Sequence, residues 1–462
     1  MNFLRVRRVH FVGIGGVGMS GLAEILASVG LSVTGSDLRE GEETRRLAVL
    51  GIRVLTGGHR GENVAGADVV VYSSAVAEDN PELVAARAAG VPVIKRAEML
   101  AEVMRVKTGI AIAGSHGKTT TTSMTGAILQ AAGLDPTIVV GGRVRAMGTN
   151  ACLGQGEYLV AEADEFDRSF LRLRPIVAVV NNIDLEHLDT YRDLADLKAS
   201  FTAFASTVPF FGVALLGLDD PNVQEIRPAL SARVRVGTFG LTPQADVTAR
   251  DLSLERNGSR FTAVAGGEVL GEVSVSLPGL HNVKNALAAI AVSRELEVPF
   301  EACVKTLSTF AGVARRFERK GERSGVLVVD DYAHHPTEVA ATLGAARQAH
   351  PERRLVVVFQ PHLFSRTRDQ AEGFGAALLA ADAVYVLPVY PSREQPIPGV
   401  TARLVSDAAR ARGHRAVVDV EDRSSLVRRL LAELRPGDLL VTMGAGDVNR
   451  LGEEFLVHGE VA

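Results

Sequence analysis

Two glycine-rich loops, each lying between an apolar run and a stretch of helical character, constrain this chain more than any other feature. The first, Gly13-Ile14-Gly15-Gly16-Val17-Gly18, closes a strand-like run that begins at Val9 and precedes a helix expected over 19–29. Glycines at these spacings let backbone amides approach a diphosphate, and the helix N-terminus that follows favours its charge. Asp37, nineteen residues beyond Gly18, ends the next strand and is placed to accept from a sugar hydroxyl. Taken alone the fingerprint favours NAD, with another nucleotide or an unliganded turn as the alternatives. It specifies a diphosphate cradle at Gly13, Gly15, Gly16 and Gly18 more closely than what the diphosphate carries.

The second loop, Gly114-Ser115-His116-Gly117-Lys118-Thr119-Thr120, sits between a strand over 109–113 and a helix from Thr119. A strict Walker pattern needs glycine where Ile112 stands, so this is a shortened variant. Its chemistry is intact. Backbone donors cradle phosphates, Lys118 supplies a point charge to the β and γ groups, and the hydroxyl of Thr119 or Thr120 reaches Mg²⁺. Such a loop needs a carboxylate at the end of a neighbouring strand. Tyr158-Leu159-Val160-Ala161-Glu162-Ala163-Asp164-Glu165 supplies it, with Glu162 the expected metal holder. Asn181-Asn182 close a further strand, and His187, among Asp184, Glu186 and Asp189, is a candidate ligand for a second metal ion.

At 462 residues the chain is too long for one ordinary core. The expectation is an α/β protein of three domains: a Rossmann-like layer over 1–104, a P-loop domain over 105–312 and a second Rossmann-like layer over 313–462. Short alternating strands over about 245–275, with the turn pair Asn257-Gly258, predict an antiparallel appendage on the middle domain. In the last third, polar clusters follow strands: Asp330-Asp331-Tyr332-Ala333-His334-His335, then Gln360-Pro361-His362 with Arg366 and Arg368, then Gly444-Ala445-Gly446. Open α/β sheets bind ligands at such strand ends. His281 and Asn285, at i,i+4 on a helix start, could address a base edge together, but capping by Asn282 or a solvated face explains the spacing as well.

A net charge of -4 gives no global attraction to nucleic acid or anionic membrane, and the basic run from Arg315-Arg316 to Arg323 is read as a phosphate contact or a solvated linker. The two cysteines, Cys152 and Cys303, are too few and too far apart for a disulfide framework and fit a reducing cytoplasm. The apolar stretch from Val9 to Gly30 contains Glu24 and several glycines, so it parses as strand, turn and helix rather than as a membrane span.

A P-loop domain with a short Walker variant, set between two nucleotide-type layers, resembles the Mur ligase superfamily. Gly13 to Gly21, Gly114 to Thr120, Glu162 to Glu165, His281 to Asn285, Arg315-Arg316-Phe317, Asp331 to Glu338 and Gln360-Pro361-His362 are similar to that family's landmarks in order along the whole length. The resemblance implies a cytoplasmic ATP-dependent ligase that activates the carboxylate of UDP-N-acetylmuramate as an acyl phosphate and joins L-alanine to it, with two Mg²⁺ ions. It implies that the first cradle, with Ser36, Asp37, Ser73 and Ser74, serves UDP, not NAD. It implies that Asn182, His281, Asn285, Arg316 and Asp331 join the P-loop in holding ATP. Lys118, Glu162, His187, His334 and Arg366 become the catalytic candidates, Tyr332 and His362 further substrate contacts, and Thr119, Glu162 and His187 the metal ligands. Leu363 and Asp447 depart from the family's usual residues, and Lys198 is given no role. The rival functions are a ligase attaching a peptide to the same sugar nucleotide, an NAD-dependent oxidoreductase with an accessory ATPase domain, and a noncatalytic nucleotide-binding regulator.

Overall fold

The computed structural model describes residues 6–73, 75–144, 149–187, 190–230, 234–392 and 394–457. The chain forms three sheets. The first is parallel, in the order β3-β2-β1-β4-β5, from β1 (Arg8–Val12), β2 (Ser32–Asp37), β3 (Arg53–Thr56), β4 (Val69–Tyr72) and β5 (Val93–Lys95). Its helices are α1 (Val17–Ser28), α2 (Glu42–Val49), α3 (Pro81–Ala88) and α4 (Arg96–Met104). The strands alternate as a sheet covered on both faces requires: Val9, Phe11 and Val71 face one core, while Val12, Val70 and Tyr72 face another with Leu83 and Ala86.

The second sheet has ten strands in the order β15-β14-β13-β12-β11-β10-β6-β9-β7-β8. These are β6 (Thr108–Ala113), β7 (Thr137–Val144), β8 (Thr149–Cys152), β9 (Tyr158–Glu162), β10 (Val177–Val180), β11 (Val213–Gly217), β12 (Arg235–Phe239), β13 (Val247–Glu255), β14 (Gly258–Ala265) and β15 (Glu268–Val275). The P-loop helix is α5 (Lys118–Ala131), followed by α6 (Leu194–Ala205), α7 (Pro221–Ile226), α8 (Leu280–Glu295) and α9 (Phe300–Thr309). The last three strands are neighbours joined by two-residue turns, a connection only antiparallel strands can take. Gly266 and Gly267, both at positive φ, make the second of these turns.

The third sheet runs β16-β17-β21-β18-β19-β20, from β16 (Glu318–Arg323), β17 (Val326–Asp331), β18 (Arg354–Phe359), β19 (Ala383–Val386), β20 (Val417–Asp419) and β21 (Asp438–Met443), with α10 (Pro336–Ala349) and α11 (Phe364–Leu378) among its helices. Along β17, Val326 and Val328 enter one core while Leu327 and Val329 enter the other. Here the sequence misled in one respect. The basic run is no solvated linker: Glu318–Arg323 is the antiparallel edge strand of this sheet, its charges suited to an edge that must not recruit another strand.

The chain divides into two compact units: Met1–Asp251 with Phe261–Val273 and Lys284–Ala311, and Leu252–Arg260 with Ser274–Val283 and Gly312–Ala462. Within the first unit the two layers share one continuous core, from Val9 and Phe11 through Met99 and Met104 to Ala111, Phe201 and Ile226. No helix among the described residues is long and apolar enough to cross a membrane. Both cysteines are free, with thiols pushed up by burial, which leaves them protonated and unreactive.

Candidate active site

In the first unit the glycine turn hangs from the end of β2. The amides of Gly13 and Ile14 both donate to the carbonyl of Ser36, at 2.9 and 3.0 Å, and Gly13 takes φ +79°. The amide of Gly15 donates to Asp37 Oδ2 at 2.9 Å, and a Cβ on Gly15 would lie 2.9 Å from that same oxygen. Only glycine leaves the acid in place. α1 starts after Gly16 with no side-chain cap, so its first amides point at the space a diphosphate would fill. Sequence reasoning missed Arg96. It opens α4 after β5, and its guanidinium lies 3.3 Å from where a Cβ of Gly18 would stand, which brings a cation to the cradle. Of the other expected contacts, the Ser36 side chain is fully buried behind the turn, Ser73 donates its amide to Val12 at 3.2 Å, and Ser74 lies outside the described residues.

The P-loop is held by the strand beside it. Ser115 N donates to the carbonyl of Asn182 at 3.1 Å, His116 N to Asn182 Oδ1 at 2.8 Å, and Asn182 Nδ2 returns a bond to the carbonyl of His116 at 3.1 Å. His116 Nε2 lies 3.0 Å from Asp184 Oδ2. Gly117 caps α5 at φ +81°, and a Cβ there would meet Asn285 Oδ1 at 2.5 Å. Asn285 in turn accepts from Thr121 Oγ1 at 3.2 Å, so it braces the loop. His281 and Asn282 belong to the other unit, where Asn282, inside the first turn of α8, donates its Nδ2 to the carbonyl of Pro278 at 2.7 Å.

Lys118 is folded back onto the loop. Its Nζ donates to the carbonyl of Gly114 at 2.7 Å and to both oxygens of Glu165 at 3.0 and 2.9 Å. Burial pulls its pKa down, but Glu165, Asp164 and Glu186 outweigh that, so the ammonium stays charged. Burial pushes Glu165 up to about 7 against the pull of Lys118, with Asp164 and Glu186 adding repulsion. Glu162 is also pushed up by burial, and is tied to the amide of Gly141 at 2.6 Å and to the hydroxyl of Thr119.

Three carboxylates gather at His187: Glu165 and Glu186 each lie 3.8 Å from its Nε2, and Asp164, Glu165 and the imidazole have ligand atoms within 4.8 Å of one another. Glu162 stands with Thr119 instead. His187 adopts φ +56°, a conformation costly for a non-glycine residue and held here by bonds from the amides of Thr190 and Tyr191 to its carbonyl at 2.8 and 2.9 Å. Tyr191 also donates its hydroxyl to the carbonyl of Glu165 at 2.6 Å, which fixes the acid relative to the imidazole. Asp189 lies outside the described residues. Lys198 is spent on Glu225 at 2.5 Å.

The second unit gathers rings at the carboxyl edge of its sheet. His334 packs edge-on against Tyr332 at 5.2 Å and against His362 at 6.0 Å, and His362 stacks on Tyr390 at 5.8 Å. Arg366 Nη1 lies 3.4 Å from His362 Nδ1. Arg316 lies over the Tyr332 ring at 5.4 Å and 3.6 Å from Glu338, which also takes the amide of His334 at 3.0 Å. Asp331 turns inward: it accepts from the amides of Phe317 and Ala333 at 2.7 and 2.8 Å, and burial raises it to about 6 despite Arg316. Arg315 is likewise internal, bonded to Asp330 at 3.0 Å and to the carbonyls of Gly444 and Gly446. Leu363 caps α11 at φ +71°, and Asp447 pairs with Gln360 at 3.1 Å and with Arg423.

Family models match almost all of this. The Mur ligase family catalytic domain covers residues 8–108, the Mur ligase middle domain 112–293 and the Mur ligase glutamate ligase domain 315–446. The chain belongs to the Mur ligase family. This Mur ligase is 53% identical over 458 residues, 99% of each chain, to a UDP-N-acetylmuramate–L-alanine ligase of Geobacter sp. strain M21. It is 55% identical over 447 residues to one from Sorangium cellulosum, covering 96% of this chain and 95% of the relative. Among solved structures, the UDP-N-acetylmuramate–alanine ligase of Thermotoga maritima superposes with a TM-score of 0.82 at 30% identity over 98% of both chains. A murein peptide ligase from Psychrobacter arcticus shares the fold, with a TM-score of 0.73 at 24% identity over 99% of both.

Proposed function

We propose that this Mur ligase joins L-alanine to the lactyl carboxylate of UDP-N-acetylmuramate and converts ATP to ADP and phosphate. The observation that carries it is identity above 50%, over nearly the whole chain, to ligases named for that reaction. The charged P-loop of the first unit supplies the matching chemistry. The cradle of Gly13, Gly15, Gly16 and Gly18, with Asp37 and Arg96, takes the UDP diphosphate. Lys118 leaves Glu165 for the β and γ phosphates of ATP, where its charge offsets the negative charge that develops as the lactyl oxygen attacks phosphorus and the bond to ADP breaks.

Mg²⁺ fits the donors present: Thr119 with Glu162 form one position, and Asp164, Glu165 and His187 a second. Crowded, buried carboxylates facing a single ammonium suit a hard divalent cation. When bound, the metal supplies charge neutralisation on the transferring phosphoryl group. In the second unit, the imidazoles of His334 and His362 are the groups suited to take the proton that the alanine amine loses as its nitrogen attacks the acyl carbon and phosphate leaves. Arg366 is suited to the alanine carboxylate.

Phosphate release from ATP and Mg²⁺ with UDP-N-acetylmuramate, measured with and without L-alanine, tests the proposal. Release that needs both, with a product of the alanyl adduct's mass, is expected. Release only with a peptide would move the assignment to a peptide ligase, and no release with either would return the oxidoreductase and regulator alternatives to consideration.

A further inference from the structure

The loop that follows β9 and the turn that carries His187 are joined by a residue with no part in the chemistry proposed above. Arg168 stands three residues beyond Glu165 and adopts φ +59°, a conformation that glycine takes freely and a side chain makes costly. Its guanidinium makes four contacts, all with the segment that follows His187. Nη2 donates to the carbonyl of Thr190 at 3.3 Å and to Asp196 Oδ2 at 2.5 Å, Nη1 donates to Ser200 Oγ at 3.2 Å, and the central carbon lies over the Tyr191 ring, 4.6 Å from its centroid. Asp196 also accepts the amide of Arg192 at 3.2 Å, so one carboxylate holds both the arginine and the chain just past Tyr191.

Both ends of this clamp return to the carboxylate cluster. The carbonyl of Glu165 accepts the amide of Arg168 at 3.0 Å and the hydroxyl of Tyr191 at 2.6 Å. Tyr191 in turn donates its amide to the carbonyl of His187 at 2.9 Å. A run of short contacts therefore connects the backbone of Glu165, through Arg168 and Tyr191, to the backbone of His187. It fixes the separation of two residues that leave the ends of different strands, β9 and β10. Asp164, Glu165 and Glu186 carry like charge and repel one another, so their approach to a single imidazole has to be imposed from outside the donor set. An ion pair that merely tied a loop to α6 would need Asp196 alone; the contact with Tyr191 and the shared carbonyl of Glu165 bring the arginine into the geometry of the site.

We propose that Arg168 is a positioning residue for the second divalent cation: by clamping the turn after His187 to the loop after Glu165, it holds the imidazole and the carboxylates at ligating separation before the ion arrives. The inference rests on the proposed assignment of Asp164, Glu165 and His187 to a second Mg²⁺. Lysine is an incomplete substitute, because a single ammonium can pair with Asp196 but cannot also fork to Thr190 and Ser200 and cover an aromatic face.

Mn²⁺ is the probe. The full-length protein, saturated with UDP-N-acetylmuramate and the nonhydrolysable ATP analogue AMP-PNP, is titrated with Mn²⁺ while electron paramagnetic resonance reads the free ion, which gives the number bound and the affinity of each. The wild type is expected to bind two. Arg168→Gly suits the same φ and removes only the guanidinium; it is expected to weaken one ion roughly tenfold and to leave the other unchanged, which also shows that the nucleotide site remains folded. Arg168→Lys is expected to fall between the two, and His187→Ala to remove the ion that Arg168→Gly weakens. Equal weakening of both ions by Arg168→Gly, or of neither, overturns the role of Arg168 and leaves the second metal position standing. A wild type that binds a single ion, or two that His187→Ala leaves in place, overturns that position and the inference with it.

Discussion

Glu82→Gln keeps the volume of a fully buried side chain and removes the charge on which four donors converge: Ser36 Oγ at 2.7 Å, His10 Nε2 at 3.0 Å, Asn63 Nδ2 at 2.6 Å and the amide of Arg60 at 3.3 Å. The hydrogen bonds from His10, Asn63 and Ser36 overcome the upward push of burial and bring the carboxyl down to about 2, from 4.5 for a free glutamate. That gap is worth about 3 kcal/mol of folding free energy. Because the folded value is the lower one, the contribution is present in full above pH 4.5 and is lost as the pH falls towards 2. Between pH 6 and pH 4 the wild type should lose roughly 0.8 kcal/mol that a glutamine cannot lose. Hydrogen exchange of peptides spanning β1, β2 and α3 reads the opening free energy of this layer without requiring the whole chain to unfold in one step. The expected result is a variant less stable than the wild type at pH 6, with the difference narrowing at pH 4. Parallel pH dependences in the two proteins would refute the assignment of a buried, ionised carboxylate.

Lys118→Ala should lower phosphate release by roughly a thousandfold, since it removes the charge that faces the transferring group; turnover near that of the wild type would rule out the P-loop as the ATP site. Gly15→Ala places a Cβ 2.9 Å from Asp37 Oδ2 and should raise KM for UDP-N-acetylmuramate roughly tenfold while leaving that for ATP unchanged, as steady-state kinetics with each substrate varied will show. Arg96→Ala should weaken the same substrate by a similar factor, and the loss should shrink as salt is raised, because a screened charge contributes less. An Arg96→Ala effect independent of ionic strength would point to packing instead.

Much of this was legible in the sequence because it is local. Strand, glycine turn and helix succeed one another within twenty residues around Gly13 and again around Gly117, and the turn pairs of the appendage specify their own hairpins. The strands' apolar runs place the polar clusters at carboxyl edges. What was not legible depends on where a side chain turns after the strand stops. Glu162, Asp164 and Glu165 are nearly equivalent as letters, and the sequence singled out Glu162 for the metal. In the fold Glu162 lies with Thr119, also an expected ligand, and accepts from the amide of Gly141; the letters did not show that the positive φ of His187 and the Tyr191 bond to Glu165 would bring the imidazole to Asp164 and Glu165 as a second group of donors. Arg316 and Asp331 read as ATP contacts from their motifs, and the letters did not show that Asp331 also accepts from the amides of Phe317 and Ala333 or that Arg315 bonds the carbonyls of Gly444 and Gly446.

Arg96 and Glu82 show the same limit from the other side. Neither lies in a motif, and each reaches its partner only because parallel strands far apart in sequence end side by side. The end of β5 delivers Arg96 to the first turn of α1 at Gly18, and α3 delivers Glu82 beneath the end of β2. Both act on the cradle that the glycines outline: one from the front, as a cation beside the diphosphate space, and one from behind, through the serine whose carbonyl holds the turn. A glycine fingerprint specifies where a backbone must come close to a ligand. The charges that decide which ligand is held come from elements the fingerprint does not contain.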